Sequence, residues 1–483
     1  MHNQPCSPHL STMPYLAKRQ KFYWVPSVFC FLLISFGGLA PSASSDASPE
    51  SSDPSITDYW NDFQSFMNDK GVIFQTINTL DILRNASGGL RRKTAVVGDI
   101  DLVLTLNGDQ LLNWNDATFF VYGLGVYGDN PSKNIGEAQT VSSIAAPNDW
   151  RLFEAWYQQN FFQDRLSLLA GLYDVTSEFD VIRSSSELFL NSSFGTGPEF
   201  AGSGKNGPST FPITSLAIRG QGIVSDDFVI RAVLADGVPG DPNDPGGTNV
   251  ILREADGLLL ATEFAFYDLR ERKKKDQKKI LKQRPFRLAF QRVGRAAPMV
   301  YQGKYALGLW GYTTDFDDLS NVNGSGKPVK REATYGIYGL AEQIVYREPQ
   351  DREQNLTLFA RIGFADPRVN RFSQYYGGGL VYRGLIPSRH EDEIGIGAAA
   401  ALNGSHFERA QRIAGDAVDD AEIALEMTYS INISPEIIIQ PNLQYIINPD
   451  TDLRIQNAWV LGARVELNWN WFDGPTTSVE ILK

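Results

Sequence analysis

Cysteine is almost missing from this chain. Cys6 and Cys30 are the only two among 483 residues, and both precede residue 45. Downstream of them no disulfide framework and no thiolate metal site can form. Histidine is nearly as scarce: beyond the N-terminal region only His390 and His406 remain, both in loop-like sequence. Neither sits in a Ser/His/Asp set or at metal-ligand spacing, so catalysis has little support, and no metal or cofactor is expected. Neither a phosphate-binding glycine loop nor a dinucleotide fingerprint occurs. Long apolar runs are missing after residue 40, and a mean hydropathy of -0.23 argues against a bundle of membrane helices. Positive charge is in deficit as well. With 44 Lys and Arg against 56 Asp and Glu, the net charge is -12, a poor match to nucleic acid.

The one long apolar run lies between about Phe22 and Ala40. Lys18, Arg19 and Lys21 precede it, and Pro41 and a Ser/Ala stretch follow. A basic flank, an apolar core and small residues mark a secretory signal, expected to span 1–44 and to take both cysteines with it. The run's length leaves a transmembrane anchor as the alternative. Residues 45–70 form a lead. Within it Tyr59, Trp60, Phe63, Phe66 and Met67 recur at helical spacing, which predicts a short amphipathic helix packed near the mouth of whatever follows.

From Gly71 onward the period changes to two. The segment 458–471 carries Trp459, Leu461, Ala463, Val465, Leu467, Trp469 and Trp471 on one face, and Arg464, Glu466, Asn468 and Asn470 on the other. Ten residues separate Trp459 from Trp469. In a strand that is about 34 Å; tilted, it covers roughly the 25 Å apolar band between the aromatic girdles of an outer-membrane barrel. The pattern recurs. Ile423, Leu425, Met427, Tyr429 and Ile431 oppose Glu422, Glu426, Thr428 and Ser430. Sixteen such runs are readable, near 71–84, 93–107, 117–128, 148–161, 165–175, 213–222, 227–237, 256–268, 302–314, 332–346, 355–366, 373–384, 392–402, 421–432, 436–447 and 456–471. Short connections alternate with long ones such as 129–147, 176–212 and 238–255. An even count with alternating turns and loops predicts an all-β, antiparallel, up-and-down transmembrane barrel over 71–472, with 473–483 as a tail. Gly377, Gly378 and Gly379 then read as room for a close-packed lumen. Pro441 interrupts the run 436–447 and demands a bulge or a gap, because proline lacks a ladder donor.

Several stretches resemble the carbohydrate-selective porins of the OprB type: Leu111-Leu-Asn-Trp114 leading to Tyr127-Gly-Asp-Asn-Pro-Ser132; Leu152-Phe-Glu-Ala-Trp-Tyr-Gln-Gln159 leading to Leu166-Ser-Leu-Leu-Ala-Gly171; Glu178-Phe-Asp-Val181 followed by Leu188-Phe-Leu-Asn-Ser-Ser-Phe-Gly195; and Gln440-Pro-Asn-Leu-Gln-Tyr445 before Asn448-Pro449. The resemblance covers roughly 57–472. It implies a sixteen-stranded barrel in the outer membrane of a Gram-negative bacterium that passes sugars and similar small neutral solutes by diffusion, often as a homotrimer. Two features depart from it. Residues 269–301 look like an insertion at a periplasmic turn, and the chain runs past its last aromatic to Lys483. The insertion holds twelve Lys/Arg and two acids between Arg270 and Arg295. It reads as a solvated loop or, more sharply, as a contact for an anionic periplasmic partner.

Chemistry is expected in the lumen. In such barrels the loop after the fifth strand, here 176–212, commonly folds inward. It carries Glu178, Asp180, Arg183 and Glu187. Arg183 opposed to Glu178 or Asp180 would form a charged eyelet with a transverse field; the plainer reading is that these charges anchor the loop to the wall. Glu154, Arg361, Arg464 and Glu466 are expected on the lumen face, with Asp99, Asp101, Arg219, Arg231 and Glu263. Trp156 should point inward beside Glu154, as should Trp310, either as platforms for sugar rings or as packing under the loop. Rival functions are a general or ion-selective porin, a barrel enzyme or adhesin, and a secreted β-protein.

Overall fold

Alternation along the chain becomes a wall when each strand pairs with its neighbours. The computed structural model describes residues 55–269 and 301–474. The strands are β1 (Val72–Ser87), β2 (Thr94–Asn107), β3 (Ala117–Gly128), β4 (Asp149–Phe161), β5 (Leu166–Tyr173), β6 (Ser215–Ser225), β7 (Phe228–Asp236), β8 (Leu258–Asp268) and β9 (Gly303–Tyr312). They continue as β10 (Phe316–Val322), β11 (Pro328–Arg331), β12 (Thr334–Arg347), β13 (Asn355–Ala365), β14 (Phe372–Arg383), β15 (Glu393–Asn403), β16 (Ala421–Ser434), β17 (Ile437–Ile447) and β18 (Ala458–Asp473). All except β10 and β11 form one closed antiparallel barrel of sixteen strands, each paired with its sequence neighbour and β1 with β18. Each of the sixteen expected runs corresponds to one barrel strand. The pair β10–β11 is a separate hairpin between β9 and β12, which the sequence did not announce.

The faces divide as the period requires. On β13, Leu358, Ile362 and Phe364 are exposed on the outside, while Thr357 and Arg361 are buried inside. On β16, Leu425 and Met427 face out, whereas Glu422, Glu426 and Thr428 face in. Full closure leaves no unpaired edge, the condition for a sheet to stand in hydrocarbon. Among the described residues no helix is long and apolar enough to cross a membrane; the strands do so. Pro441 takes its place as the period predicted. The β16–β17 ladder lapses between Thr428↔Asn442 and Ile431↔Ile439, while β17–β18 pairing runs on through Pro441↔Ala463. The Gln440 side-chain amide donates to Thr428 Oγ1 at 2.9 Å and Thr428 Oγ1 donates to Pro441 O at 3.2 Å, filling the gap.

Both described chain ends, before β1 and after β18, lie at the end of the barrel where Asp226 and Asp227 join β6 to β7 and 435–436 join β16 to β17. The long connections, 129–148, 174–214 and 237–257, leave from the other end. Short turns mark the periplasmic rim and long loops the outer one. The connection from β8 to β9 starts from the periplasmic end; residues 270–300, with the basic insertion, lie outside the described residues, as do 1–54 with the expected signal and 475–483 with the tail. The helix expected in the lead is present at Ile56–Asp69. A second one, Ser405–Ala414, went unread; it has no buried residue and lies between Gly404 and a left-handed Gly415.

Candidate functional site

Two of the long connections turn back into the barrel. The first is 129–148, where Ile135, Val141 and Ser142 are buried; the second is 174–214, where Val175, Phe179, Leu190 and Phe200 are buried. An irregular segment inside a barrel needs partners for its backbone N–H and C=O groups. The inward residues of the strands supply them. Glu422 on β16 accepts the N–H groups of Ala138 and Gln139 at 2.8 and 2.7 Å. Four residues along the same strand, Glu426 accepts those of Leu190 and Asn191 at 2.7 and 2.9 Å, plus the Asn442 amide at 2.6 Å. Glu342 on β12 accepts from Ser184 N at 3.1 Å and from Tyr301 Oη at 2.5 Å. Carbonyls are met from the other side: Gln444 Nε2 donates to Val141 O at 2.8 Å, Lys304 Nζ to Val181 O at 2.7 Å, and Tyr375 Oη to Ser193 O at 2.7 Å. The Asn191 amide donates to Gln139 O at 3.0 Å and ties the two segments together.

The charges expected at an eyelet pair differently from the pattern suggested by their spacing. Glu178 meets Arg219 of β6, Nε–Oε2 2.7 Å and Nη2–Oε1 3.2 Å, with Tyr173 Oη donating at 2.5 Å. Asp180 meets Arg361 of β13, Nε–Oδ1 3.1 Å, and its N–H donates to Glu263 at 3.1 Å. Arg361 also donates to the Asp180 and Gly195 carbonyls. Arg183 is left to Glu187, 2.9 Å away and one helical turn on. The predicted opposition of Arg183 to Glu178 or Asp180 is thus corrected. Residues close in sequence lie closer in space to wall arginines, and each buried carboxylate has taken one. Glu178, Asp180 and Arg361 are buried behind the loop. In the loop, Glu178 is destabilised by burial, but Arg219 beside it prevails and holds it below the usual carboxylate range.

The lumen-face residues point inward as expected. Trp156 stacks on Phe120 at 4.7 Å and donates to Glu154 at 3.1 Å; Trp310 stacks on Phe200 of the loop at 5.2 Å. Both indoles are buried, at 7% and 3% exposure, so they pack and offer no open platform. Arg464 forms two bonds with Asp81, 2.7 and 2.8 Å, across the seam between the last strand and the first. A cavity of about 500 Å³ lies open between the wall and the inner loops. Glu154, Arg464 and Glu466 line it, together with Asp99, Asp101, Glu187, Glu393 and Arg383. Hydroxyls and amides, among them Thr79, Ser186, Thr196 and Gln440, fill the spaces between.

Outside the lumen, Ser320, His406 and Asp318 come together where β10 meets the helix Ser405–Ala414. Asp318 and Ser320 both approach His406 Nδ1, at 2.9 and 3.2 Å. A relay needs one partner on each ring nitrogen. Here both contacts fall on the same one, and the Arg331 guanidinium also holds Asp318, at 2.6 and 2.9 Å. The cluster joins one outer loop to another.

The model of the carbohydrate-selective porin, OprB family, matches residues 91–469. The chain belongs to that family. It is an outer-membrane porin, a channel rather than an enzyme. Porin B of Pseudomonas aeruginosa is 23% identical over 437 residues, which cover 84% of this chain and 89% of the relative. The putative porin QuiX of Acinetobacter baylyi is 18% identical over 80% of this chain and 86% of that one. Among solved structures, the high-pH form of Pseudomonas putida OprB superposes with a TM-score of 0.71 at 20% identity, covering 87% of this chain and 99% of that one; the low-pH form gives 0.51 at 16%. These likenesses carry the fold. The wall carboxylates Glu342, Glu422 and Glu426 were not singled out in the sequence as site residues, and the inward course of 129–148 was not foreseen. The available signal was an acid on the inner face of an otherwise apolar strand, repeated at Glu422 and Glu426.

Proposed function

We propose that this porin passes carbohydrates and similar small neutral solutes by passive diffusion, through a lumen narrowed by both inward segments. The observation that carries the reading is the cavity between wall and loops, whose lining interleaves hydroxyls, amides and charges of both signs. Such a surface exchanges hydrogen bonds with a solute's hydroxyls as easily as with water. In this reading Glu154, Arg464 and Glu466 touch the solute. Glu178, Asp180, Arg361 and Trp156 act behind them by setting where the loop stands, and Arg183 by fixing Glu187 in the cavity lining. Single-channel recording in planar bilayers tests it: ion current should fall in steps or saturably as a neutral sugar is added. A current indifferent to saturating sugar would leave only a general porin.

One observation favours a second component, an ion preference. Carboxylates outnumber guanidiniums along the cavity: Asp99, Asp101, Glu154, Asp174, Glu187, Glu391, Glu393 and Glu466 stand against Arg383 and Arg464. Such a lining favours cations over anions. The reversal potential in a KCl gradient should show potassium more permeant than chloride; the opposite sign would contradict it.

The homotrimer belongs to this proposal too. On the outside of β1–β3, the rings of Tyr127 and Trp150 lie over Gly98 and Gly125, and Asn78 bonds Tyr127 Oη at 2.9 Å on this lipid-facing wall. A polar pair is costly facing lipid and is better placed against a second barrel. The mass of the detergent-solubilised particle decides it. The anionic periplasmic partner rests on Arg270–Arg295 alone, outside the described residues.

A further inference from the structure

The helix Ile56–Asp69 has no buried residue. Its apolar side chains nevertheless share one face: Ile56, Tyr59, Trp60, Phe63, Phe66 and Met67 fall within about 120° at 100° per residue, while Asp58, Asp62, Ser65 and Asp69 fall opposite. The helix is fixed to the barrel along one edge. Gln64 Nε2 donates to Trp471 O at 3.0 Å, and Asp473 N donates to Asn68 Oδ1 at 2.9 Å. Trp60 meets Trp471 edge-on at 6.3 Å, and Phe63 meets Phe472 edge-on at 5.6 Å.

Those barrel residues lie on the outside. Thr76 pairs with the outward Trp469, and Trp471 Nε1 donates to Thr76 Oγ1 at 3.0 Å. Phe74 and Phe472 pair next along the same ladder, their rings 6.4 Å apart. The helix therefore adjoins the aromatic girdle at the periplasmic rim on its lipid side. Docking covers one flank only: Ile56, Tyr59 and Phe66 remain 89%, 64% and 55% exposed.

We propose that this helix lies flat in the phospholipid interface of the inner leaflet, continuing the girdle of Trp469, Trp471 and Phe472, with Ile56, Tyr59, Phe63 and Phe66 at the headgroup–acyl boundary. An amphipathic helix rich in aromatic side chains takes that position in a bilayer. Its acids, Asp58, Asp62 and Asp69, turn toward water, which suits a zwitterionic leaflet better than an anionic one. A second protein is a poorer occupant. A helix about 21 Å long and about 10 Å wide offers a face far below the roughly 800 Å² per partner of a stable interface.

Nitroxide scanning tests this in the whole porin, reconstituted in nanodiscs of phosphatidylethanolamine and phosphatidylcholine. Cys6 and Cys30 are first replaced by serine, and cysteines are then introduced singly along 56–69. Collision with oxygen should peak at 56, 59, 63 and 66, and collision with a water-soluble nickel chelate at 58, 62, 65 and 69. A label at the outward Leu358 sets the oxygen level of lipid. Nickel access without helical period, equal at 59 and 62, would overturn the proposal in favour of a helix standing in water. Spin–spin broadening at 59 and 66 would overturn it in favour of a second copy. Loss of the folded barrel in any one label is bypassed by the other members of the scan.

Discussion

The outside and the inside of this barrel are built from the same strands by opposite rules. Outside, any large apolar side chain serves, because lipid surrounds every position alike. Leu358, Ile362, Leu425 and Met427 stand exposed there, and none depends on a particular neighbour. Inside, almost every polar residue has one particular partner: Glu426 has Leu190 and Asn191, Arg361 has Asp180, and Glu178 has Arg219. The outer face tolerates exchange among its apolar types, whereas the inner face does not. A porin can change its solute by changing the inner face while the outer one keeps it in the membrane.

The sharpest way to break this contrast is to remove one partner of a buried inner pair. Arg361→Met leaves Asp180 without its cation, and breaking a buried pair costs about 3–5 kcal/mol. The loop, with fewer fastenings than the wall, should yield first: limited proteolysis should cut within 174–214 while the barrel stays heat-modifiable on gels. On the outside, a charge should be expensive irrespective of partners. Leu358→Arg on the outer apolar face should cost up to about 2–4 kcal/mol of folding into liposomes, whereas Leu358→Ile should fold as the parent does. A smaller loss is expected from Glu426→Gln, which removes the charge and turns one of the two accepting oxygens into a donor, leaving one of the N–H groups of Leu190 and Asn191 unpaired at a cost of about 1–3 kcal/mol. Protease resistance of 174–214 should drop less than in Arg361→Met.

The smallest effect is a pH dependence of the loop. Glu199, in the short helix Pro198–Ala201, is buried, and among the described residues neither of its oxygens has a side-chain hydrogen-bond partner. Burial first, and the Asp180 carboxylate second, hold it well above the usual carboxylate range, so it keeps its proton at neutral pH. A carboxyl raised in the folded state stabilises it at low pH, and that contribution fades as pH rises through the folded value. Protease resistance of the loop should therefore decline from about pH 5 to about pH 9, and Glu199→Gln should flatten the curve. Resistance that rises with pH would reverse the sign.

The same contrast explains what could be read from the sequence. The outer face imposes a period of two on consecutive residues, so all sixteen barrel strands were legible before any contact was known, and with them the lipid-facing side of strands such as 421–432 and 456–471. The helix at 56–69 was legible for the same reason, at a different period. The inner partners were not. Glu426 and Leu190 are 236 residues apart, and no local pattern marks either as the other's partner. Sequence proximity misled at Arg183, which lies a few residues from Glu178 and Asp180 but is bonded to Glu187. The hairpin β10–β11 escaped because it stands outside the wall, where Val322 is 62% exposed and no face repeats. The fold was thus legible where the surroundings are uniform, and the site illegible where each contact is individual.

The central claim is that wall carboxylates hold the two inward segments in the lumen and thereby set the size of the pore. Glu422 holds the first segment and Glu426 the second. Single-channel conductance of the Glu422→Gln, Glu426→Gln double variant tests it most directly, beside the parent in the same salt. The account predicts larger and noisier openings as both segments loosen, in a barrel that remains heat-modifiable. A folded double variant with the parent's conductance would contradict it.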